Sequence, residues 1–216
     1  MKPKRSPSST PASARSAGAN RLRIIGGQWR GTKLQFPDHA AIRPTPDRVR
    51  ETLFNWLQHD IIGARCLDLF AGSGALGLEA LSRGAHSAVF VDREPIIHRY
   101  LRDTLTRLKC TDAEVLGMDA LNYLPQIQQP FNGAFLDPPF AAAASSDLFS
   151  RLLQQLDLPG RMTPTAWMYL ECPAELGLPS AWKYWPSQWQ LHRSEQAGQV
   201  GYHLARRISA SQASSG

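Results

Sequence analysis

Apolar residues fall along this chain in two rhythms. Compact runs at 66–70, 88–91, 114–116, 131–136 and 166–170 predict strands. Between and after them, 76–82, 96–108, 120–124 and 148–156 space their apolar positions every three or four residues, as one buried helix face requires. Strands alternating with helices predict an α/β fold with a doubly wound, mainly parallel sheet, because parallel neighbours need a crossover between them. Near the C-terminus the rhythm changes. Residues 188–193 and 200–207 flank a polar stretch with Gly198 and Gly201, which predicts an antiparallel pair closing a seven-stranded sheet.

Upstream of this alternation, Val49, Leu53, Phe54, Trp56 and Leu57 predict an amphipathic helix over 48–59. Pro44 and Pro46 forbid an earlier start, and Asp47 is placed to be its N-cap. Two β-prone runs around Gln28-Trp29-Arg30 predict a small N-terminal hairpin. Residues 1–19 carry no large apolar side chain after Met1, too little to offset the entropy of ordering. The expected organisation is a disordered tail at 1–19, a hairpin extension at 20–46, the main domain at 47–208 and a short disordered tail at 209–216.

Composition narrows the classes. At 216 residues and 43% hydrophobic the chain suits one globular domain. No run reaches the roughly 18 to 20 apolar residues of a membrane span, so a membrane partner is not expected. The start is basic but lacks the apolar stretch of a secretory signal. Cys66, Cys110 and Cys172 stand too far apart for a disulfide framework or a CxxC site, and the six histidines show no HxH or HxxxH pairing. A cytoplasmic monomer without a metal is expected. The net charge of +6 is unevenly spread: residues 1–50 hold eleven Lys/Arg and two acids, a balance of +9, leaving −3 for the remainder. A basic N-terminal part on a mildly acidic body predicts contact with a polyanion.

Asp68-Leu-Phe70-Ala-Gly72-Ser-Gly74-Ala-Leu-Gly77 follows the first strand of the alternation. Such a turn lets backbone approach a ligand at a helix N-terminus, and Asp92, eighteen residues after Gly74, ends the second strand where a ribose could be held. Both a dinucleotide and S-adenosylmethionine use such a turn. Asp68 favours the second, since a carboxylate repels pyrophosphate but attracts an ammonium and a sulfonium. Asp119, with Ala120 behind it, is placed either to accept from an adenine amine or to cap the following helix. Asp137-Pro138-Pro139-Phe140 closes the fourth strand. Two prolines remove two backbone donors, so the turn offers acceptors only. An exocyclic amine has its lone pair delocalised into the ring. Accepting its hydrogens with the Asp137 carboxylate and the Pro138 carbonyl localises density on nitrogen, while Phe140 stacks on the base.

With these residues in place, the chain resembles the RsmD-type bacterial methyltransferases, which methylate the N2 amine of a guanine in 16S rRNA. The likeness covers about 21–207 and rests on Arg23-Ile-Ile-Gly-Gly-Gln-Trp-Arg-Gly31, the RPTPDRVRETLFN stretch at 43–55, DLFAGSGALGLEALSR at 68–83, DPPF at 137–140 and Ala197-Gly-Gln-Val200. It implies the class I S-adenosylmethionine-dependent fold, with 16S rRNA, in the 30S subunit or an assembly intermediate, as partner. It places Arg43, Thr45, Asp68, Phe70, Gly72, Gly74, Asp92, Asp119 and Ala120 at the cofactor, and Asp137, Pro138, Pro139 and Phe140 at the chemistry. Arg43, Thr45 and Arg48 could equally serve the substrate end, or cap a helix and pair with Glu51. Arg21, Arg23, Arg30, Lys33 and Arg48 are the expected RNA contacts, whereas the neutral 141–144 stretch after the catalytic turn offers none. Glu94 rivals Asp92 as the ribose acid. Two alternatives stay open: an adenine-N6 methyltransferase, and a non-catalytic RNA-binding assembly factor. The tryptophans at 167, 182, 185 and 189 are expected to pack rather than form a base-stacking platform.

Overall fold

Strand and helix alternate in the computed structural model as the apolar rhythms require. The structure describes residues 20–38, 42, 44–143, 146–176 and 188–208; both expected tails, Arg43, Trp182 and Trp185 lie outside these. The main sheet comprises β3 (Arg65–Asp68), β4 (Ser87–Asp92), β5 (Ala113–Gly117), β6 (Phe131–Leu136), β7 (Met162–Pro173), β8 (Trp189–Ala197) and β9 (Val200–Arg207). Its order is β5-β4-β3-β6-β7-β9-β8. The first five strands in this order are parallel; β9 runs antiparallel to β7, and β8 antiparallel to β9. This is the class I methyltransferase arrangement, with its antiparallel closing pair.

Alternate strand residues face opposite layers, as the two-residue period of a strand demands. Cys66, Phe90, Phe135 and Tyr169 join the layer of α1 (Asp47–Trp56), α2 (Ala75–Ser82) and α3 (Pro95–Arg107). Leu67, Val89, Ala134 and Met168 face α4 (Ala120–Tyr123) and α6 (Ser146–Leu156). Strand β7 is longer than the apolar run 166–170 suggested. It continues to Met162, which pairs with Phe131 beyond an irregularity at Phe131/Gly133. A short helix, α5 (Phe140–Ala143), starts directly after the DPP turn; the amides of Ala142 and Ala143 donate to the Pro139 carbonyl at 2.8 and 2.9 Å. Trp167 and Trp189 are buried, in keeping with packing.

The N-terminal hairpin, β1 (Arg21–Arg23) with β2 (Lys33–Gln35), is docked on the body. Its inward residues Leu22, Ile24, Leu34 and Phe36 are buried in the same core as α1 and α2. Glu79 of α2, fully buried, accepts from the amides of Ile25 at 2.9 Å and Gly26 at 2.7 Å. The same carboxylate pairs with Arg83 at 2.7 Å and Arg50 at 3.3 Å. Gly27, at φ 75°, lies so close to Ser82 that a Cβ there would meet its carbonyl oxygen at 1.7 Å; only glycine fits. Asp47 departs from its expected role. The N-cap of α1 is Pro46, without a side-chain cap, and the Asp47 carboxylate instead pairs with Arg50 at 2.6 Å and Arg23 at 3.1 Å.

Candidate active site

The chain leaves β3 to build β4 and β5 on one side, then returns to build β6 and β7 on the other. Such a reversal opens a crevice beyond the strand C-termini, where α/β proteins bind ligands. Here the crevice is a cavity of about 990 Å³, and an acid in or just beyond each of the five parallel strands lines it: Asp68, Asp92, Asp119, Asp137 and Glu171. The first four were legible in the sequence. Glu171 is not among the residues the sequence pattern marks; its signal there is a lone acid ending the apolar run of β7.

At the β3 end, Asp68 is buried and its Oδ2 accepts from the Gly77 amide at 3.0 Å. Burial, with Asp92 nearby, raises its carboxyl to about 7. Gly77 is required here for packing: a Cβ would strike the Phe90 ring at 2.3 Å. Both Asp92 oxygens are fixed, Oδ2 by the Gly72 amide and Oδ1 by the Glu94 amide, each at 2.9 Å. Asp119 caps α4 by accepting from the Leu121 amide at 2.9 Å, and with Ala120 it lines the cavity, so its two suggested roles are compatible. Phe70 and Gly72 line it too, while Gly74, at φ 74°, forms the N-cap of α2.

The β6 end sets a half-buried acid beside a buried one. Leu136 pairs with Leu170, so the next residues, Asp137 and Glu171, emerge side by side from neighbouring strands. The Thr45 hydroxyl donates to Asp137 Oδ2 at 3.3 Å, and the Tyr169 hydroxyl to Glu171 Oε1 at 2.8 Å. Burial and the adjacent Glu171 push the Asp137 carboxyl well above its ordinary range, and burial raises Glu171 to about 7. Thr45 lies against both carboxyls, so this residue, expected at the cofactor or the substrate end, meets the Asp137-Pro138-Pro139-Phe140 turn. Pro138, Pro139 and Phe140 line the same cavity. Arg48 is exposed on α1 outside it, and Arg21, Arg23, Arg30 and Lys33 are exposed on the hairpin and its loop.

A family model described as Conserved hypothetical protein 95 matches residues 22–206. The Ribosomal RNA small subunit methyltransferase D of Escherichia coli K12 is 46% identical over 88% of this chain and 92% of its own length. The chain belongs to the RsmD family. The solved structure of the Escherichia coli protein yhhF superposes with a TM-score of 0.77 at 44% identity, covering 88% of this chain and 99% of that one. SMU.776, solved in complex with SAH, shares the fold alone: TM-score 0.69 at 14% identity, over 90% of this chain and 58% of that one.

In this RsmD-family chain the residues present fit S-adenosylmethionine, the cofactor of the class. Among the described residues no Lys or Arg pairs with Asp68, Asp137 or Glu171. Buried carboxylates left without a cation favour a cationic ligand. Asp68, Asp92 and Asp119 lie in strand order along the wall, suited to the amino-acid, ribose and adenine parts. Among the described residues no cluster of His, Cys, Asp or Glu is arranged to hold a metal ion, and no helix is long and apolar enough to cross a membrane.

Proposed function

We propose that this protein transfers a methyl group from S-adenosylmethionine to the exocyclic N2 amine of a guanine in 16S rRNA, presented in the 30S subunit or an assembly intermediate. One observation carries the reading: the acidic strand end at Asp68 and the acceptor-only turn at Asp137-Pro138-Pro139-Phe140 open into one cavity. The name of the Escherichia coli relative supports a small-subunit ribosomal RNA as substrate.

The cofactor, when bound, supplies an electrophilic methyl group on a sulfonium. Asp68 holds its positive end, and Asp92, fixed by two amides, is preorganised to accept from ribose hydroxyls. Asp137 and the Pro138 carbonyl accept the two amine hydrogens, which localises the lone pair on nitrogen and orients it. Phe140, half-buried, stacks on the base. As the nitrogen bonds the methyl carbon, the methyl carbon–sulfur bond would break with its electron pair going to sulfur, leaving S-adenosylhomocysteine, and the nitrogen must shed a proton. Asp137, held above the usual carboxylate range by burial and Glu171, is suited to take it. The exposed cations Arg21, Arg23, Arg30, Lys33 and Arg48 hold the RNA backbone. A cytoplasmic monomer is the form we propose for this activity.

Mass mapping of 16S rRNA from a strain lacking the protein tests this. One N2-methylguanosine should disappear and return with the wild-type gene; an unchanged map overturns the reading, and loss of an N6-methyladenosine redirects it to adenine.

A further inference from the structure

Resting on that reading, we propose that Glu171 is the specificity-determining residue of the site: its carboxylate accepts the guanine N1–H while Asp137 holds the adjacent N2 amine. The placement comes from the register of β6 and β7. Leu136 pairs with Leu170, which sets Asp137 and Glu171 next to each other at the strand ends, both facing the cavity. Guanine presents the matching arrangement, with the N1 and N2 donors on neighbouring ring positions.

Hydrogen-bond supply and demand around the pair points the same way. The two carboxyl groups and the Pro138 carbonyl offer five acceptor oxygens, each able to take more than one hydrogen. Against them the protein brings the Tyr169 hydroxyl, donating to Glu171, and the Thr45 hydroxyl, which has one hydrogen for two carboxyls. The prolines contribute no amide hydrogens. Acceptors outnumber the donors the protein supplies, and Glu171 among them is buried while Asp137 is half-buried. A base edge bearing three hydrogens, N1–H and N2–H₂, fills the site. An adenine edge turns the N1 lone pair toward Glu171 and places two acceptors face to face. Tyr169, itself fully buried, fixes the carboxylate by its 2.8 Å bond and so sets the reading direction.

The test uses the full protein and 30S particles reconstituted with 16S rRNA ligated to carry, at the mapped site, either guanosine or 2-aminopurine. The analogue keeps the 2-amine but has a lone pair at N1 in place of the hydrogen. Wild type should methylate guanosine at least about 100-fold faster in kcat/KM, as expected where a buried acceptor is left facing another acceptor. Glu171→Gln, whose amide can donate to N1, should bring the two substrates within about tenfold of each other while S-adenosylmethionine affinity is kept. A purely structural Glu171 would not exchange the preference in this way. Equal wild-type rates on both substrates overturn the assignment even if the variant fails to fold. A Gln variant that binds cofactor and retains the guanosine preference overturns it as well. Were the proposed reaction itself wrong, wild type would leave guanosine N2 unmethylated, a separate result.

Discussion

Glu79 and Asp137 are both carboxylates inside the fold, the first fully buried and the second half-buried, and their surroundings differ in kind. Glu79 is met by four donors, the amides of Ile25 and Gly26 and the side chains of Arg50 and Arg83. Asp137 receives the Thr45 hydroxyl and stands beside a second acid, Glu171. The first arrangement joins the hairpin to α2 and answers its own charge. The second leaves charge and acceptors unanswered inside a cavity. A buried acid surrounded by donors holds a fold together; one beside other acids waits for a ligand that brings the cation or the donors.

Substitution should separate the two regions. Asp137→Ala is expected to lower methyl transfer by about 10³-fold or more while leaving S-adenosylmethionine affinity nearly intact, read by single-turnover kinetics and calorimetry. Full transfer by that variant would remove Asp137 from the chemistry. Glu79→Ala leaves Arg50 buried without this partner and should cost about 3 to 5 kcal/mol in urea unfolding. If stability is unchanged, Glu79 does not clamp the hairpin to α2. Asp92→Ala should weaken cofactor binding by about 10- to 100-fold with little change in melting temperature, and an unaltered Kd would move the ribose contact to Glu94.

Acidity offers a subtler distinction. Because Asp68 and Glu171 sit at about 7 and Asp137 is raised with them, kcat/KM should fall by at least about tenfold per pH unit below that value, and more steeply if more than one must be charged. A flat profile between pH 5 and 8 would show that these acids do not need their charge. The same shift acts on stability. Folding raises the Glu171 carboxyl from 4.5 to about 7, so the folded state holds more protons in that interval and loses stability as pH rises through it. Glu171→Gln should therefore melt a few degrees above wild type at pH 8, about 2 to 4 °C, and show no such gain at pH 4. An equal gain at both values would mean that packing, not charge, explains the effect.

Much of this was readable from residue pattern. The strands, the closing pair and Asp68, Asp92, Asp119 and Asp137 follow from local periodicity and strand-end position. What escaped depends on distant pairing. Glu171 acquires meaning only through the β6–β7 register, and Glu79 through backbone amides more than fifty residues away. Asp47 looked like a cap because its local setting suited one; Arg23 and Arg50, brought in by the hairpin and the helix, claim its carboxylate instead. Thr45 lies in a stretch whose pattern leaves the cofactor and substrate ends equally open, and its partner, Asp137, stands 92 positions later.

The central claim is that the unanswered acids serve methyl transfer to a guanine amine. Its most direct test is to incubate the pure protein with S-adenosylmethionine carrying a deuterated methyl group and with 30S particles from a strain lacking it. Nucleosides are then identified by mass spectrometry. The predicted result is one deuterated N2-methylguanosine per 16S rRNA, lost with Asp137→Ala. Label on an adenine, or no label with wild type, would contradict it.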